Sequence, residues 1–269
     1  MSIITISRGT FSGGKMLAEY LSQKLGYKCI DRDRIVERAS ASGVSEDNLR
    51  LAIEKPPTFL GQSGHTQYRY LALIQAALTA EVRNGKAIYH GLAGHLLLRG
   101  IPNVLRTRII APMKLRISMV KNQLKYGDSE AIAYIEKMDR DRRKWTQFLY
   151  GVDWGDPSLY DLLLNLESMS IGDAGEIICA ALKQPRFEFT PECKLALDEL
   201  ALASTVRAEL ALDPKTSDLE MEVTAVAGSV SFKGELLRAD QAKEITRIAR
   251  AVPGVKAVQI SKVVVVDRF

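Results

Sequence analysis

Long apolar runs, paired cysteines and aromatic clusters are what this 269-residue chain lacks. No stretch approaches the roughly 18 consecutive apolar residues of a membrane-spanning helix, which argues against a chain that crosses a bilayer. Cys29, Cys179 and Cys193 are odd in number and far apart. They read as reduced thiols of a cytoplasmic protein, not as a disulfide framework or a zinc site. The N-terminus has no basic region ahead of an apolar run, so no signal peptide is expected. Aromatic residues are not interleaved with basic clusters, and no nucleic-acid-binding module is recognisable, so nucleic acid is not an expected partner.

What is present suits a soluble globular protein of one large or two smaller domains: 46% of residues are apolar and 26% charged. The net charge of +5 is uneven. Through Pro185 there are 25 Lys/Arg against 19 Asp/Glu, and after it 12 against 13. The cationic surplus therefore lies in the first part, where it suits an anionic ligand such as a nucleotide.

That part opens on the stretch around which the chain is organised. Ile3, Ile4 and Ile6 read as a buried strand, Gly9 to Gly14 as a glycine-rich turn, and Leu17, Leu21 and Leu25 as the buried face of a helix. Gly9, Gly14 and Lys15 fit the phosphate-loop spacing G-x-x-x-x-G-K. Glycines let the backbone turn tightly and aim N–H groups at phosphate, and the helix N-terminus favours the negative charge. Gly9, Ser12, Gly13, Gly14, Lys15 and Met16 are the candidate phosphate-binding residues, with Lys15 on the outer phosphates. The motif expects Ser or Thr after the lysine to hold Mg²⁺, but Met16 stands there and Leu17 follows. No side chain is assigned as a metal ligand.

Further strands are expected at 27–31, 87–89, 104–111 and 160–165. Helices are expected from Asp31, over about 67–84, over 113–126, after Gly127 and over 171–182. Residues 40–66, broken by Pro56, Pro57, Gly61 and Gly64, read as a connection with a short helix near 45–54. His90-Gly91-Leu92-Ala93-Gly94-His95 reads either as a second ligand loop or as an ordinary loop, its histidines as loop-end residues. Alternating strands and helices predict an α/β fold, a parallel sheet with helices on both faces. The phosphate loop, Asp31, the 90–95 loop and Ala111-Pro112 all fall at carboxyl ends of strands, where such sheets bind ligands.

Gln184 to Pro191 reads as a linker. Beyond it the order is helix, strand, strand, helix, strand, a small α+β domain without a concentrated polar site. The expected division is 1–185 and 191–269.

The first part resembles the cytidylate kinase-like family of P-loop nucleoside monophosphate kinases. The resemblance rests on Ile4-Thr5-Ile6-Ser7-Arg8, Ser12-Gly13-Gly14, the strand ending at Asp31, Ile110-Ala111-Pro112 with Arg116, and above all the run YGVDWGDPSLYDLLLN from Tyr150 to Asn165. The tail resembles the BON domain through Val226-x-Gly228-x-Val230-x-Phe232-x-Gly234 and Val252-Pro253-Gly254-Val255. The kinase resemblance implies γ-phosphoryl transfer from ATP, with Mg²⁺, to CMP or a related small phosphate acceptor. It implies that Asp31, Arg34, Arg116 and Arg142 hold the acceptor, and that Lys15, Arg140 and Arg143 serve catalysis, the arginines from a closing lid. That arginine run can also be read as a solvated helix face. The family has Gly-Arg after its third strand where this chain has Gly91-Leu92. The alternative is a nucleotide-binding regulatory protein that signals through its BON domain. That domain implies a ligand, protein or membrane partner, and homo-oligomerisation is left open.

Overall fold

The computed structural model describes residues 2–54, 64–91, 93–236, 238 and 240–265. Leu92, residues 55–63 of the expected connection with Pro56, Pro57 and Gly61, and Val266 at the expected end of the last strand lie outside them.

Five parallel strands form the first sheet: β1 (Ile3–Arg8), β2 (Lys28–Ile30), β3 (Ala87–Tyr89), β4 (Val104–Ile110) and β5 (Leu162–Asn165). Their order is β2-β3-β1-β4-β5, with β1 central and Ser7 beside Arg108 in the β1/β4 register. Ile3 and Ile4 are fully buried, as a strand covered on both faces requires. The helices are α1 (Gly14–Leu25), α2 (Arg32–Ser40), α3 (Glu46–Glu54), α4 (Gly64–Val82), the short α5 (Gly94–Leu97), α6 (Met113–Leu124), α7 (Asp128–Tyr150) and α8 (Ile171–Ala181). Leu17, Ala18 and Leu21 of α1 and Ala174 and Ile178 of α8 join Ile4, Ile6 and Ile109 in one apolar cluster. This is the expected α/β architecture.

The tail holds α9 (Pro191–Leu212), β6 (Glu222–Val226), β7 (Ser229–Leu236), α10 (Gln241–Ala251) and β8 (Ala257–Val265). β6 pairs antiparallel and β8 parallel with β7, giving a small mixed sheet. Val206 and Leu210 of α9 and Ile245 and Ala249 of α10 pack with Val230 and Phe232 in a separate cluster.

By contacts the chain divides into two compact units. One comprises Met1–Arg34, Glu54–Pro56 and Asn84–Cys193; the other comprises Ile35–Ile53, Pro57–Arg83 and Lys194–Phe269. α4 thus groups with the tail, and α9 shows why. Ala203, Val206 and Leu210 face the mixed sheet, whereas Leu197, Ser204, Ala208 and Ala211 form a second buried stripe. At 3.6 residues per turn the stripes lie about 140° apart. α9 is linked to α4 and its end by Arg83 to Asp198 at 2.7 Å and Arg207 to Gln75 at 3.3 Å. The composition change at 184–191 marks where the sequence changes character, and the spatial units mark what packs together.

Candidate functional site

β1 delivers the chain at Arg8 into a turn, and α1 begins at Gly14. Gly13 has φ 86°, the left-handed region that favours glycine. α1 has no side-chain cap and no acid in its first turn, so its leading N–H groups suit an anion. Gly14 is required by a neighbour: a Cβ there would lie 2.2 Å from Arg8 Cδ. Ser12 is fully buried, and its hydroxyl donates to the carbonyls of Gly9 at 2.9 Å and Ile109 at 3.3 Å. These bonds shape the loop. Lys15 is exposed and 3.9 Å from Glu19, while Met16 is half-exposed.

Arginines enclose this loop. Arg116 of α6 donates Nε to the Thr10 carbonyl at 2.7 Å and a second nitrogen to Asp139 at 2.5 Å. Asp139 of α7 accepts from the Thr10 N–H at 2.9 Å and hydroxyl at 2.7 Å. Arg142, one turn on, donates to the Arg8 carbonyl at 3.0 Å and to the Thr10 hydroxyl at 3.2 Å. Arg8 donates to the His90 carbonyl at the end of β3. Phe11 holds φ 56° and meets Tyr134 of α7 edge-on at 6.2 Å, which ties the α6–α7 pair to the loop.

The cations are crowded. Burial, then Arg8, Arg32 and Arg116, push the Arg142 guanidinium down to about 10, and Asp139 opposes them. Burial, then Arg32, lowers Arg8. Such a group of guanidiniums can hold phosphate bidentately, and a bound anion would relieve its mutual repulsion.

The remaining candidates take distinct places. Asp31 accepts the Arg34 N–H at 2.8 Å and so caps α2, and the Arg34 side chain is exposed. The charge of Arg32 reaches both Arg8 and Arg142, and that of Asp31 reaches Arg8. Arg140 and Arg143 line an open hollow of about 300 Å³ with Met113, Ile135, Glu136 and Asp139, and Arg143 pairs with Asp153 at 3.4 Å. In the 90–95 loop, Cβ atoms at Gly91 and Gly94 would each lie within 2.3 Å of the Tyr89 ring or hydroxyl, so both glycines accommodate Tyr89. His90 and His95 are buried. Burial and Arg8 push His90 down to about 4, and burial with Arg106 and Arg108 does the same to His95. Among the described residues no group of three or more His, Cys, Asp or Glu could hold a metal ion. The expected site residues did not include Arg8, Arg32, Thr10 or Asp139. Their signals were adjacency to Gly9, adjacency to Asp31, and the Asp139/Arg142 spacing of three on one helix.

The fold and this loop define a P-loop kinase-like protein. The chain belongs to the cytidylate kinase-like family, whose family model matches residues 3–168, and it carries a BON domain, matched over residues 198–267. It is 27% identical over 165 residues to a protein named cytidylate kinase from Methanothrix thermoacetophila, covering 61% of this chain and 87% of that one. A cytidylate kinase from Methanosarcina acetivorans is 27% identical over 182 residues, covering 66% and 95%. Among solved structures, an uncharacterized protein from Eubacterium ventriosum shares the fold at 18% identity and TM-score 0.52, covering 68% of this chain and 99% of that one. Among the described residues no helix is long and apolar enough to cross a membrane.

Proposed function

We propose that the chain transfers the γ-phosphoryl group of ATP to a small acceptor that itself carries phosphate, CMP or a related nucleoside monophosphate. The observation that carries this reading is the gathering of Arg8, Arg32, Arg116 and Arg142 beside the phosphate loop, with Asp139 ion-paired among them. The loop and the start of α1 answer the anionic needs of ATP, and the arginines offer a place for a second anion. Phosphoryl transfer of this kind depends on positioning and charge neutralisation. Lys15 reaches the outer phosphates once it leaves Glu19, an exposed pairing of little strength. Arg116 and Arg142 neutralise the transferring group and acceptor, and Arg140 and Arg143 complete the closing side.

The loop fits Mg²⁺ only as a companion of ATP. The Ser12 hydroxyl is already bonded to two carbonyls and Met16 offers no hydroxyl, so the ion would keep mostly phosphate and water ligands. The unbridged thiols Cys29, Cys179 and Cys193 support a reducing, cytoplasmic setting. We assign the BON domain no part in the chemistry and leave its partner to be a ligand, a protein or a membrane surface.

The test is a panel of nucleoside monophosphates and the matching nucleosides, incubated with ATP and Mg²⁺ and followed by ADP release. Release with CMP or another monophosphate, and none with its nucleoside, is the expected result. ATP binding without transfer to any monophosphate would favour the regulatory reading, which Met16 supports by withholding the metal-binding hydroxyl.

A further inference from the structure

The run from Tyr150 to Asn165 is the most distinctive in the chain, yet its aromatic residues have no part in the chemistry above. Trp154 is buried. Arg108 of β4 lies over its ring at 4.0 Å and donates to its backbone carbonyl at 2.7 Å. The Tyr160 hydroxyl donates to the same carbonyl at 2.7 Å and meets the Ser7 hydroxyl at 3.0 Å. The turn is thereby anchored to β1 and β4. The Arg142 guanidinium carbon stands 5.7 Å from the same indole, which lies within reach of two guanidiniums.

We propose that Trp154 and Arg108 are positioning residues for Arg142: the indole holds that guanidinium against the phosphate loop, and Arg108 fixes the indole. Arg142 is bonded to the Arg8 carbonyl and the Thr10 hydroxyl, but its charge is poorly answered. It lies among Arg8, Arg32 and Arg116, and its carboxylate partner Asp139, at 3.6 Å, is already engaged by Thr10 and Arg116. A second carboxylate would steady it but would repel an incoming phosphate. An aromatic face attracts the cation through its quadrupole and carries no net charge. Arg108 suits the supporting part because it is buried and its partners are the Trp154 carbonyl, the Tyr160 hydroxyl at 3.4 Å and both aromatic faces. The catalytic consequence rests on Arg142 being a phosphate ligand, as proposed above; the positioning does not.

The two can be tested apart. Without ligand, modification of Arg142 by phenylglyoxal is followed by peptide mass spectrometry in the parent, Trp154→Phe, Trp154→Ala and Arg108→Met, each first shown to melt cooperatively. Arg142 should react several-fold faster in Trp154→Ala and Arg108→Met and near the parental rate in Trp154→Phe. Should Trp154→Ala fail to fold, Trp154→Leu takes its place. An unchanged Arg142 rate in these variants overturns the proposal. With turnover as readout, Trp154→Ala should lower kcat by about tenfold or more while the KM for ATP changes little, and adding it to Arg142→Met should cost nothing further. Effects that multiply in the double variant would overturn the proposal. A parent without turnover would instead overturn the kinase reading, and the modification rates would still decide the positioning.

Discussion

The phosphate-loop unit and the tail treat charge differently. In the unit with the phosphate loop, Arg8, Arg108 and Arg142 are turned inward, and Arg8 and Arg142 are held below their ordinary range by burial and by other arginines. His90 Nδ1, His95 Nε2 and Trp154 Nε1 are buried there without a hydrogen-bond partner. In the tail, ions sit at the surface in pairs: Lys215 with Glu244 at 2.7 Å, Arg247 with Asp213 at 3.0 Å, and Lys233 with Glu222 at 3.2 Å. Exposed pairs of that kind contribute little and ask for nothing further. Crowded cations shifted by burial and by one another are characteristic of functional sites. On the function proposed above, the contrast assigns the chemistry to the phosphate-loop unit and none to the tail.

The largest expected effect should fall on the tail alone. Phe232 is 1% exposed at the centre of the tail core. Phe232→Ala should cost about 3–5 kcal/mol of that unit's stability, as large-to-small core changes do, with ATP affinity unchanged. Denaturant melts with and without ATP check this, and a lost ATP affinity would erase the contrast. Lys15→Ala should do the reverse. Transfer should fall by about 10²–10³-fold and ATP binding weaken, because a cation aimed at developing charge is removed, while the melt stays parental. A variant that binds ATP as well as the parent would remove Lys15 from the site.

Acid should sharpen the comparison on the side of the first unit. His90 and His95 are pushed down to about 4 in the fold from an ordinary value of 6.5. Between those values the unfolded chain binds more protons, so stability rises with pH and is lost as pH falls from about 6.5 toward 4. The slope is at most about 1.4 kcal/mol per pH unit for each histidine. Melts of the parent and of His95→Phe across that window test it; equal slopes would show that His95 does not titrate there.

Separating the parts comes next in size. Residues 191–269 alone are expected to fold, with a melt lowered because Leu197, Ser204, Ala208 and Ala211 lose cover, and residues 1–185 are expected to keep ATP binding. Circular dichroism and ATP titration of the two fragments check both. An unfolded tail fragment would make the tail an extension of the kinase part. The smallest effect is that of Met16→Ser, which should leave the Mg²⁺ requirement of ATP binding unchanged or modestly tighter; a clear loss of ATP binding would show that Met16 packs the loop.

Much of the fold was legible because apolar spacing carries it. Ile3, Ile4 and Ile6 for β1, Leu17 and Leu21 for α1, and Leu71, Ile74, Leu78 and Val82 for α4 are all buried. The glycine-rich turn and its helix were legible from Gly9, Gly14 and Lys15. The arginine cluster was less so, since Arg8, Arg32, Arg116 and Arg142 come from four separate stretches and only the sheet order brings them together. Asp31 illustrates a further limit: its position at a strand end suggests a ligand, and the sequence alone does not show that its carboxylate also caps the next helix. The grouping of α4 with the tail was hidden for another reason. α9 is apolar on two faces, and sequence periodicity reports that a residue is buried without reporting against what.

Hydrogen–deuterium exchange on the full chain, with a non-hydrolysable ATP analogue, Mg²⁺ and CMP added together, tests the central claim most directly. The account expects protection over residues 9–17, 113–120 and 139–154, where the loop, Arg116, Arg142 and Trp154 lie, and little change over 219–236. Saturating ligands that leave those three stretches unprotected would contradict it.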